Sequence, residues 1–488
     1  MGADPGSEMR LSPQQIVEEV RADPHDKVKL AVVDIDGVLR GKYVHKRKFL
    51  SAVDKGFGFC NVVFGWDCGD VCYDNVRYTG WHTGYPDALA RLDLRTYRRV
   101  PWDGEVAFFL ADFEDEHGKP LAVCPRQTLK RVCARAQALG YAPVFGLEIE
   151  WFNFRESPQS LAEKGYAQPT PLAWLGGGGG TGLVADAAAG GPLQPTPLSP
   201  GMFGYSILRA GLHRPYFHAL MDELGRFRVP LEGLHTETGP GVYEAALLAA
   251  DALEAADRGV LFKTGVKEIA YRFGIVASFM AKWHARLPGC SGHIHQSLWD
   301  AERTTNLFHD DAHPQGMTPL FESYLAGQMA LLPELLPMYA PTVNSYKRLV
   351  EGLWAPTTVS WGVDNRTAAF RVISTGPGST RLETRAPGAD LNPYLAIAAA
   401  LGSGLYGIER KLRLEARAVT GNAYAASGAP PLPRTLHEAT ERLARSEAAR
   451  ELFGEAFVEH FVASRQWEWR QFREAVTDWE LKRYFEIV

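Results

Sequence analysis

The chain of 488 residues lacks the features that direct a protein into a membrane, into secretion or onto nucleic acid. No stretch approaches the roughly 20 apolar residues that a membrane helix needs, and the N-terminal MGADPGSEMR lacks the apolar core of a secretory signal. The net charge is -5 and the basic residues are dispersed, which argues against nucleic acid or an anionic membrane as a partner. We therefore expect a cytoplasmic globular protein.

Cysteine is also scarce, with six residues and no C-x-x-C pair, so we expect reduced thiols rather than disulfides or a zinc site. No G-x-x-x-x-G-K-[ST] motif occurs, and the glycine run at 176–180 is therefore not predicted to bind phosphate. What the chain does have is 46% hydrophobic and 22% charged residues. That composition allows a large buried core.

The chain divides into a small domain and a large one by its pattern of strands and helices. Residues 28–50 read as a β-hairpin around Asp36-Gly37, and further strand-like segments follow, so we predict a sheet-rich domain over residues 1–122. A helix begins at Pro125. We place the second domain over residues 123–488.

The second domain mixes strand and helix patterns, which predicts an α+β fold. YAPVFGLEIEWFNF has the pattern of a strand, and residues 243–274 have the pattern of a helix. The segment after Thr435 is helical by periodicity. Residues 156–201 are rich in glycine and proline, which is typical of an insertion or a surface loop.

Acidic and imidazole side chains recur two positions apart on strand-like segments, so both members of each pair face the same side. The pairs are Glu148 with Glu150, His293 with His295, and Glu383 with Arg385; Glu237 and Glu244 flank a Gly-Pro-Gly turn. Any one pair alone is more typical of a solvated strand face. The functional interpretation requires that they converge.

Converging carboxylates with one imidazole would suit Mg²⁺ or Mn²⁺ better than zinc. Two such ions beside arginines would suit phosphoryl transfer. The nearby arginines are Arg348, Arg366, Arg371, Arg381 and Arg385.

The order of these segments resembles the glutamine synthetase family. The motifs are GLEIE, Glu237 before GVYE, GCSGHIHQSL, NSYKRL, Asn-Arg-x-x-x-x-Arg at 365–371, and RLETRAP followed by NPY. The resemblance covers nearly the whole chain. It implies an N-terminal β-grasp domain and a catalytic domain with a curved antiparallel sheet flanked by helices. It also implies a homo-oligomer of hexameric rings stacked as a dodecamer, with sites between subunits.

The resemblance assigns residues to roles by position. One ion would be held by Glu150, Glu237 and Glu244, and the other by Glu148, His293 and Glu383. ATP contacts would come from Glu232, His295, Ser297, Arg371 and Arg381. The acid substrate would be bound by Arg348, Arg385, Glu150 and Gly289, and Arg366 would act on the transferred phosphoryl group. The implied reaction activates glutamate as an acyl phosphate with ATP, and an amine then displaces the phosphate.

One loop departs from the family pattern. Ammonia-using members carry a glutamate shortly after NSYKRL, where EGLWAP here places Trp354. A second ammonium-binding acid, expected from a neighbouring subunit, corresponds to Asp67, with Asp70 as the fallback. Replacing a carboxylate by an indole weakens ammonium binding and adds apolar surface.

We therefore predict an ATP-dependent ligase that joins glutamate to an organic amine, with aniline-like aromatic amines as the specific expectation, because they are neutral at pH 7. The alternatives are an ammonia-using glutamine synthetase and a catalytically inactive structural member. Trp354 could also be a packed lid residue that never meets substrate.

Overall fold

The computed structural model describes residues 11–166, 194–426 and 428–488, and its strands and helices confirm the α+β class. A six-stranded sheet is followed by a nine-stranded sheet. The first sheet contains β1 (Lys27–Val33), β2 (Leu39–His45), β3 (Phe57–Cys60), β4 (Asp87–Leu92), β5 (Arg98–Val100) and β6 (Val106–Glu114). The second contains β7 (Tyr141–Phe154), β8 (Leu231–Thr236), β9 (Val242–Leu247), β10 (Ala250–Asp251), β11 (Val276–Ser278), β12 (Gly292–Asp300), β13 (Trp361–Val363), β14 (Phe370–Ile373) and β15 (Arg381–Thr384).

The first two helices pack against the first sheet, and the later ones cover the second sheet and form most of the C-terminal region. In chain order, the helices are α1 (Pro13–Ala22), α2 (Lys46–Lys55), α3 (Pro125–Ala138), α4 (Pro158–Glu163), α5 (Ile207–Leu212), α6 (Arg214–Arg226), α7 (Ala252–Tyr271), α8 (Pro319–Tyr339), α9 (Ser345–Arg348), α10 (Pro393–Glu409), α11 (Leu436–Arg445), α12 (Glu447–Phe453), α13 (Glu455–Glu474) and α14 (Asp478–Tyr484).

The first sheet has the strand order β2-β1-β6-β4-β3, with β5 paired to β6. The predicted hairpin is present, since β1 and β2 pair antiparallel from Lys27 opposite His45 to Val33 opposite Leu39. Gly37 in the connecting turn has φ 79°, a conformation that glycine adopts without strain.

The second sheet has the order β13-β14-β15-β12-β7-β9-β8 and is antiparallel except where β13 meets β14. Its longest strand, β7, pairs with β12 on one side and β9 on the other. The side chains of β7 therefore lie next to those of both neighbours, and this places the paired acids of the sequence side by side.

The prediction of a helix over residues 243–274 was wrong for the first part of that segment. Residues Val242–Leu247 form β9, and the helix α7 begins only at Ala252. Alanine and leucine suit a helix, but tertiary pairing with β7 and β8 outweighs that preference. The Asp251 side chain caps α7 by accepting from the Glu254 N–H.

The core beneath the second sheet depends on close helix packing. Helix α10 is almost wholly buried against α8. A Cβ on Gly407 would lie 2.0 Å from the carbonyl oxygen of Ser323, so only glycine permits the two backbones to approach this closely.

A separate cluster of buried residues, from Ile16 to Cys124, fills the first sheet. Buried Arg126 joins the two regions, because it donates to Asp112 at the end of β6 and to Asp257 on α7, both at 2.8 Å. The boundary near residue 123 remains a proposal.

The predicted 156–201 insertion is described only at its ends, and its five glycines lie outside the described residues. Glu156 accepts from the Thr196 N–H at 2.8 Å, so the chain leaves and rejoins the sheet at one place. Across the described ranges, every helix is too short or too polar to cross a membrane.

Candidate active site

The strand register brings the predicted acids and histidines together on the second sheet. Glu148 lies opposite His293, and Glu150 lies opposite Glu244. Directly opposite residues of antiparallel strands have neighbouring side chains. The convergence on which the functional interpretation depends is therefore present.

Glu148, His293 and Glu383 form the first group that could hold a metal ion, with their ligand atoms within 4.8 Å of one another. His293 Nδ1 lies 3.3 Å from Glu383 Oε1 and 3.5 Å from Glu148 Oε2. Burial acts to raise the pKa of Glu383, but Arg385 and His293 outweigh it and lower the pKa to about 2. The carboxylate is therefore ionised at neutral pH.

His235, Glu237 and Glu244 form the second group. The family resemblance implies Glu150, rather than His235, as the third ligand beside Glu237 and Glu244. Glu150 lies beside Glu244, and one of its oxygens accepts from the Ser291 N–H at 2.7 Å. Its role as a ligand therefore remains a prediction. His235, on β8, stands two positions before Glu237, which directly follows that strand; this is the same spacing as in the other pairs.

The atoms of both groups fit divalent cations. Buried His235 Nε2, Glu237 Oε2 and both ring nitrogens of His293 have no hydrogen-bond partner within the described part of the chain. Burial, and then the charges of Glu150 and Glu148, raise the pKa of Glu244 to about 10. A cation between these carboxylates would remove their repulsion.

Tyr205 lies at the candidate site, although no motif in the sequence indicates it. Its ring stacks on His235, with centroids 4.4 Å apart and planes 9° apart. The Tyr205 N–H donates to Thr236 O, which ties its loop to β8. Nothing in the local sequence pattern indicates this stacking, because the contact joins a loop to a strand some thirty positions away.

Of the residues predicted to contact ATP, only some lie close together. His295 Nε2 lies 3.2 Å from Glu148 Oε1, and Arg381 Nε donates to His295 Nδ1 at 3.1 Å. Ser297, on the same strand as His295, accepts from Trp299 Nε1. Glu232 lies apart from them, exposed on the edge strand β8.

The two arginines predicted at the phosphates differ in their surroundings. Arg371 donates to Glu383 Oε2 and to Asp364 Oδ1, both at 2.9 Å. It therefore contacts a carboxylate of the first metal group directly. Arg366 is exposed in the turn before β14 and is therefore accessible to a ligand.

Among the residues predicted to bind the acid substrate, Arg348, Arg385 and Gly289 lie in contact. Buried Arg348 donates from Nη1 to Ala386 O at 3.0 Å and from Nη2 to Arg385 O at 3.3 Å. Arg385 in turn donates to Glu383. A Cβ on Gly289 would lie 2.9 Å from Arg348 Cγ, so glycine gives the arginine its space.

Trp354 is not packed in the core, since its side chain is 58% exposed. Its φ of 60° is rare for a bulky residue, and such strain concentrates at functional loops. Tyr424 lies beside it: burial raises the pKa of the phenol, while Arg385, Arg348 and the Trp354 backbone N–H act to lower it. The Trp354 N–H lies near the buried Tyr424 hydroxyl, but neither it nor any other described group meets the geometry of a hydrogen bond to that hydroxyl.

Asp67 and its fallback Asp70 are not brought to this site within one chain. Asp67 accepts from Trp467 Nε1 at 2.9 Å and from the Gly69 and Val71 N–H groups, and Asp70 pairs with Arg40. Their loop belongs to the first region and packs on α13.

Two carboxylate–imidazole groups with several arginines around them form the arrangement of a metal-dependent enzyme that handles phosphate and carboxylate groups. A model of the glutamine synthetase catalytic domain matches residues 122–484. The chain belongs to the glutamine synthetase family, and it is an ATP-dependent carbon–nitrogen ligase. Members of this family use glutamate with ammonia or an amine and depend on a divalent metal.

Similar proteins carry different names within the family. The chain is 49% identical to "Type-1 glutamine synthetase 2" of Dictyostelium discoideum, over 97% of this chain and 86% of that protein. It is 38% identical to "Glutamate--isopropylamine ligase" of a Pseudomonas species, over 95% of each. A solved GmaS/ADP complex superposes with a TM-score of 0.79 at 28% identity, over 96% of this chain and 99% of that one.

Proposed function

We propose that this ligase joins the γ-carboxyl of glutamate to an organic amine, through a γ-glutamyl phosphate made with ATP. The observation that carries the proposal is the exposed indole of Trp354, six positions after Arg348. Aromatic amines such as aniline are the specific prediction. The relative named for isopropylamine supports an amine nucleophile in general.

The proposed roles are those that the family resemblance implies. Arg348 and Arg385 would anchor glutamate, with Gly289 leaving room beside Arg348 and Glu150 facing the substrate amino group. His295, Ser297 and Arg381 would contact the nucleotide, with Glu232 at the other edge, and Arg366 and Arg371 would face its phosphates. The two metal groups would each hold Mg²⁺ or Mn²⁺, which neutralises phosphate oxygens when bound.

The chain's own groups limit the nucleophile. Ammonium is a small cation that needs a carboxylate to attract it and to take its proton; an indole cannot take the proton, and its ring face attracts a cation more weakly than a carboxylate does. The Tyr424 hydroxyl beside Trp354 stays protonated, because its pKa is raised. It can accept a hydrogen bond from a neutral amine while the indole packs against the amine's apolar part. Both features suit an amine that arrives uncharged.

A second candidate is ammonia-using glutamine synthetase, which the relative at 49% identity carries in its name. In that case Asp67 from a neighbouring subunit would supply the missing acid. This role for Asp67, the stacked hexameric rings and any part played by residues 156–201 all remain proposals.

The decisive experiment measures phosphate release with ATP, Mg²⁺ and glutamate against ammonia, isopropylamine, putrescine and aniline. We expect an organic amine to be preferred, and Trp354→Glu to shift kcat/KM toward ammonia by about tenfold to a hundredfold, a range typical of one charged contact. Trp354→Gln removes the indole without adding charge, and Trp354→Phe keeps an aromatic ring. Ammonia as the best nucleophile of the wild type would reject the amine proposal.

A further inference from the structure

Lys282 occupies an unusual position for a lysine. It lies in the loop before β12 and is only 5% exposed. Its backbone is clamped by Asn344, which accepts from the Lys282 N–H at 2.8 Å and donates to the Lys282 carbonyl at 2.7 Å. Asn344 directly precedes α9, the helix that carries Arg348. The two cations are therefore held in a fixed relation.

The ammonium of Lys282 has no partner for its charge. Its Nζ is buried and makes no hydrogen bond to any described residue. Burial, and then the positive charge of Arg348, lower its pKa. Removing an ammonium from water without pairing it costs several kcal/mol. Nothing within the described chain offsets that penalty, whereas an anionic ligand would.

The surroundings of Lys282 have an excess of hydrogen-bond donors. The guanidinium of Arg348 bonds to two backbone carbonyls, and neither bond neutralises its charge. Arg385, whose carbonyl accepts from Arg348, donates from Nη1 to Glu383, while its buried Nε has no hydrogen-bond partner among the described residues. Glu150 and Asp390 partly offset the charge of Arg348, but no carboxylate among the described residues pairs with the Lys282 ammonium. An incoming carboxylate would accept several hydrogen bonds here and supply that missing negative charge.

From this cluster we infer that Lys282 is a specificity-determining residue that binds the carboxylate of the acid substrate that does not react. The reacting carboxylate must face the metal groups and the nucleotide. The other carboxylate is therefore left for Arg348 and Lys282. This inference rests on the proposed function, because it takes an amino dicarboxylic acid, glutamate, as the acid.

The test measures binding of L-glutamate to the full-length protein by thermal shift, with no nucleotide or amine present. Lys282→Met keeps the length of the side chain and removes its charge. We expect the free variant to melt at or above the wild-type temperature, because an unpaired charge is gone. Its affinity for glutamate should fall about tenfold or more, the usual effect of losing a hydrogen bond to a charged group.

Lys347→Met is the matched control. Lys347 is one residue from Arg348, but it is exposed and its Nζ lies over the Phe472 ring, 5.4 Å from the centroid. This variant makes the same change in net charge and should bind glutamate like the wild type. Lys282→Arg restores a cation and should recover much of the lost affinity.

A second ligand tests which carboxylate of glutamate Lys282 contacts. 4-Aminobutyrate lacks the carboxylate assigned to Lys282, so its affinity should be nearly equal for the wild type and Lys282→Met. Equal glutamate affinity in those two proteins would overturn the role of Lys282 while leaving the acid assignment intact. A wild-type protein that glutamate does not stabilise would instead overturn the assignment of glutamate, and the role of Lys282 with it.

Discussion

One half of the candidate active site is held by strands and the other half by loops. On the strands, Glu383 contacts Arg371, Arg385 and His293 at once. On the loops, the hydroxyl of Tyr424 has no hydrogen-bond partner in the described structure, and Trp354 is largely exposed. Strand ladders hold charged groups at set distances, whereas loops vary without disturbing a core. Under the proposed function, the phosphoryl-transfer groups common to the family would lie mainly on strands, and the residues that choose the nucleophile would lie on loops.

The largest effect is expected where the strand half loses a charge. Glu383→Gln removes a ligand of the first metal group and leaves Arg371 and Arg385 short of an anion. We expect kcat/KM to fall about a thousandfold, as for loss of a main electrostatic contact, measured by phosphate release with every amine. Glu459→Gln is the control, since Glu459 forms an exposed pair with Arg77. A loss confined to one amine would contradict the division between strands and loops.

A smaller and selective effect is expected in the loop half. Tyr424→Phe removes the unpartnered hydroxyl next to Trp354, so kcat/KM for the preferred amine should fall about threefold to tenfold, the effect of one neutral hydrogen bond. The KM for ATP should not change. Tyr73→Phe is the control, because that buried hydroxyl also lacks a hydrogen-bond partner in the described structure and packs on Trp467. An equal loss with all nucleophiles would assign Tyr424 to the shared chemistry.

The smallest effect is expected at Glu156, where a loop leaves and rejoins the end of β7. Burial acts to raise the pKa of Glu156, but Lys164, Ser160 and the Thr196 N–H outweigh it and lower the pKa to about 2. A carboxyl with a lowered folded-state pKa stabilises the fold fully above its unfolded value of 4.5, and this contribution is lost as pH falls through about 2. The loop closure should therefore be constant from pH 5 to 8.

Glu156→Gln should weaken this closure by about 1–2 kcal/mol, the value of hydrogen bonds to a charged group. Faster hydrogen exchange at the Thr196 amide would report it, with little change in global melting. Glu163→Gln is the control, since exposed Glu163 accepts from Gln159 and has no other hydrogen-bond partner in the described structure. Protection at Thr196 that survives Glu156→Gln would show that Glu156 does not close this loop.

The sequence predicts the site best where the residues of a single strand indicate their own shared face. The spacing of Glu148 and Glu150, and of His293 and His295, predicts their shared faces without knowledge of neighbouring strands. The sequence predicts least where the secondary structure of a segment depends on the strands that pair with it. Residues 242–247 have helix-forming composition, and only pairing between β7 and β8 makes them a strand.

The sequence by itself determined the family, the α+β class, the residues of the first metal group and the departure at Trp354. Those follow from residue types at short spacings, which local geometry converts into faces. Only the tertiary structure decided that His235 joins Glu237 and Glu244, that Tyr205 stacks on His235, and that Lys282 lies buried beside Arg348. These contacts join segments far apart in the chain, and their distances depend on strand order and loop paths that no short spacing encodes.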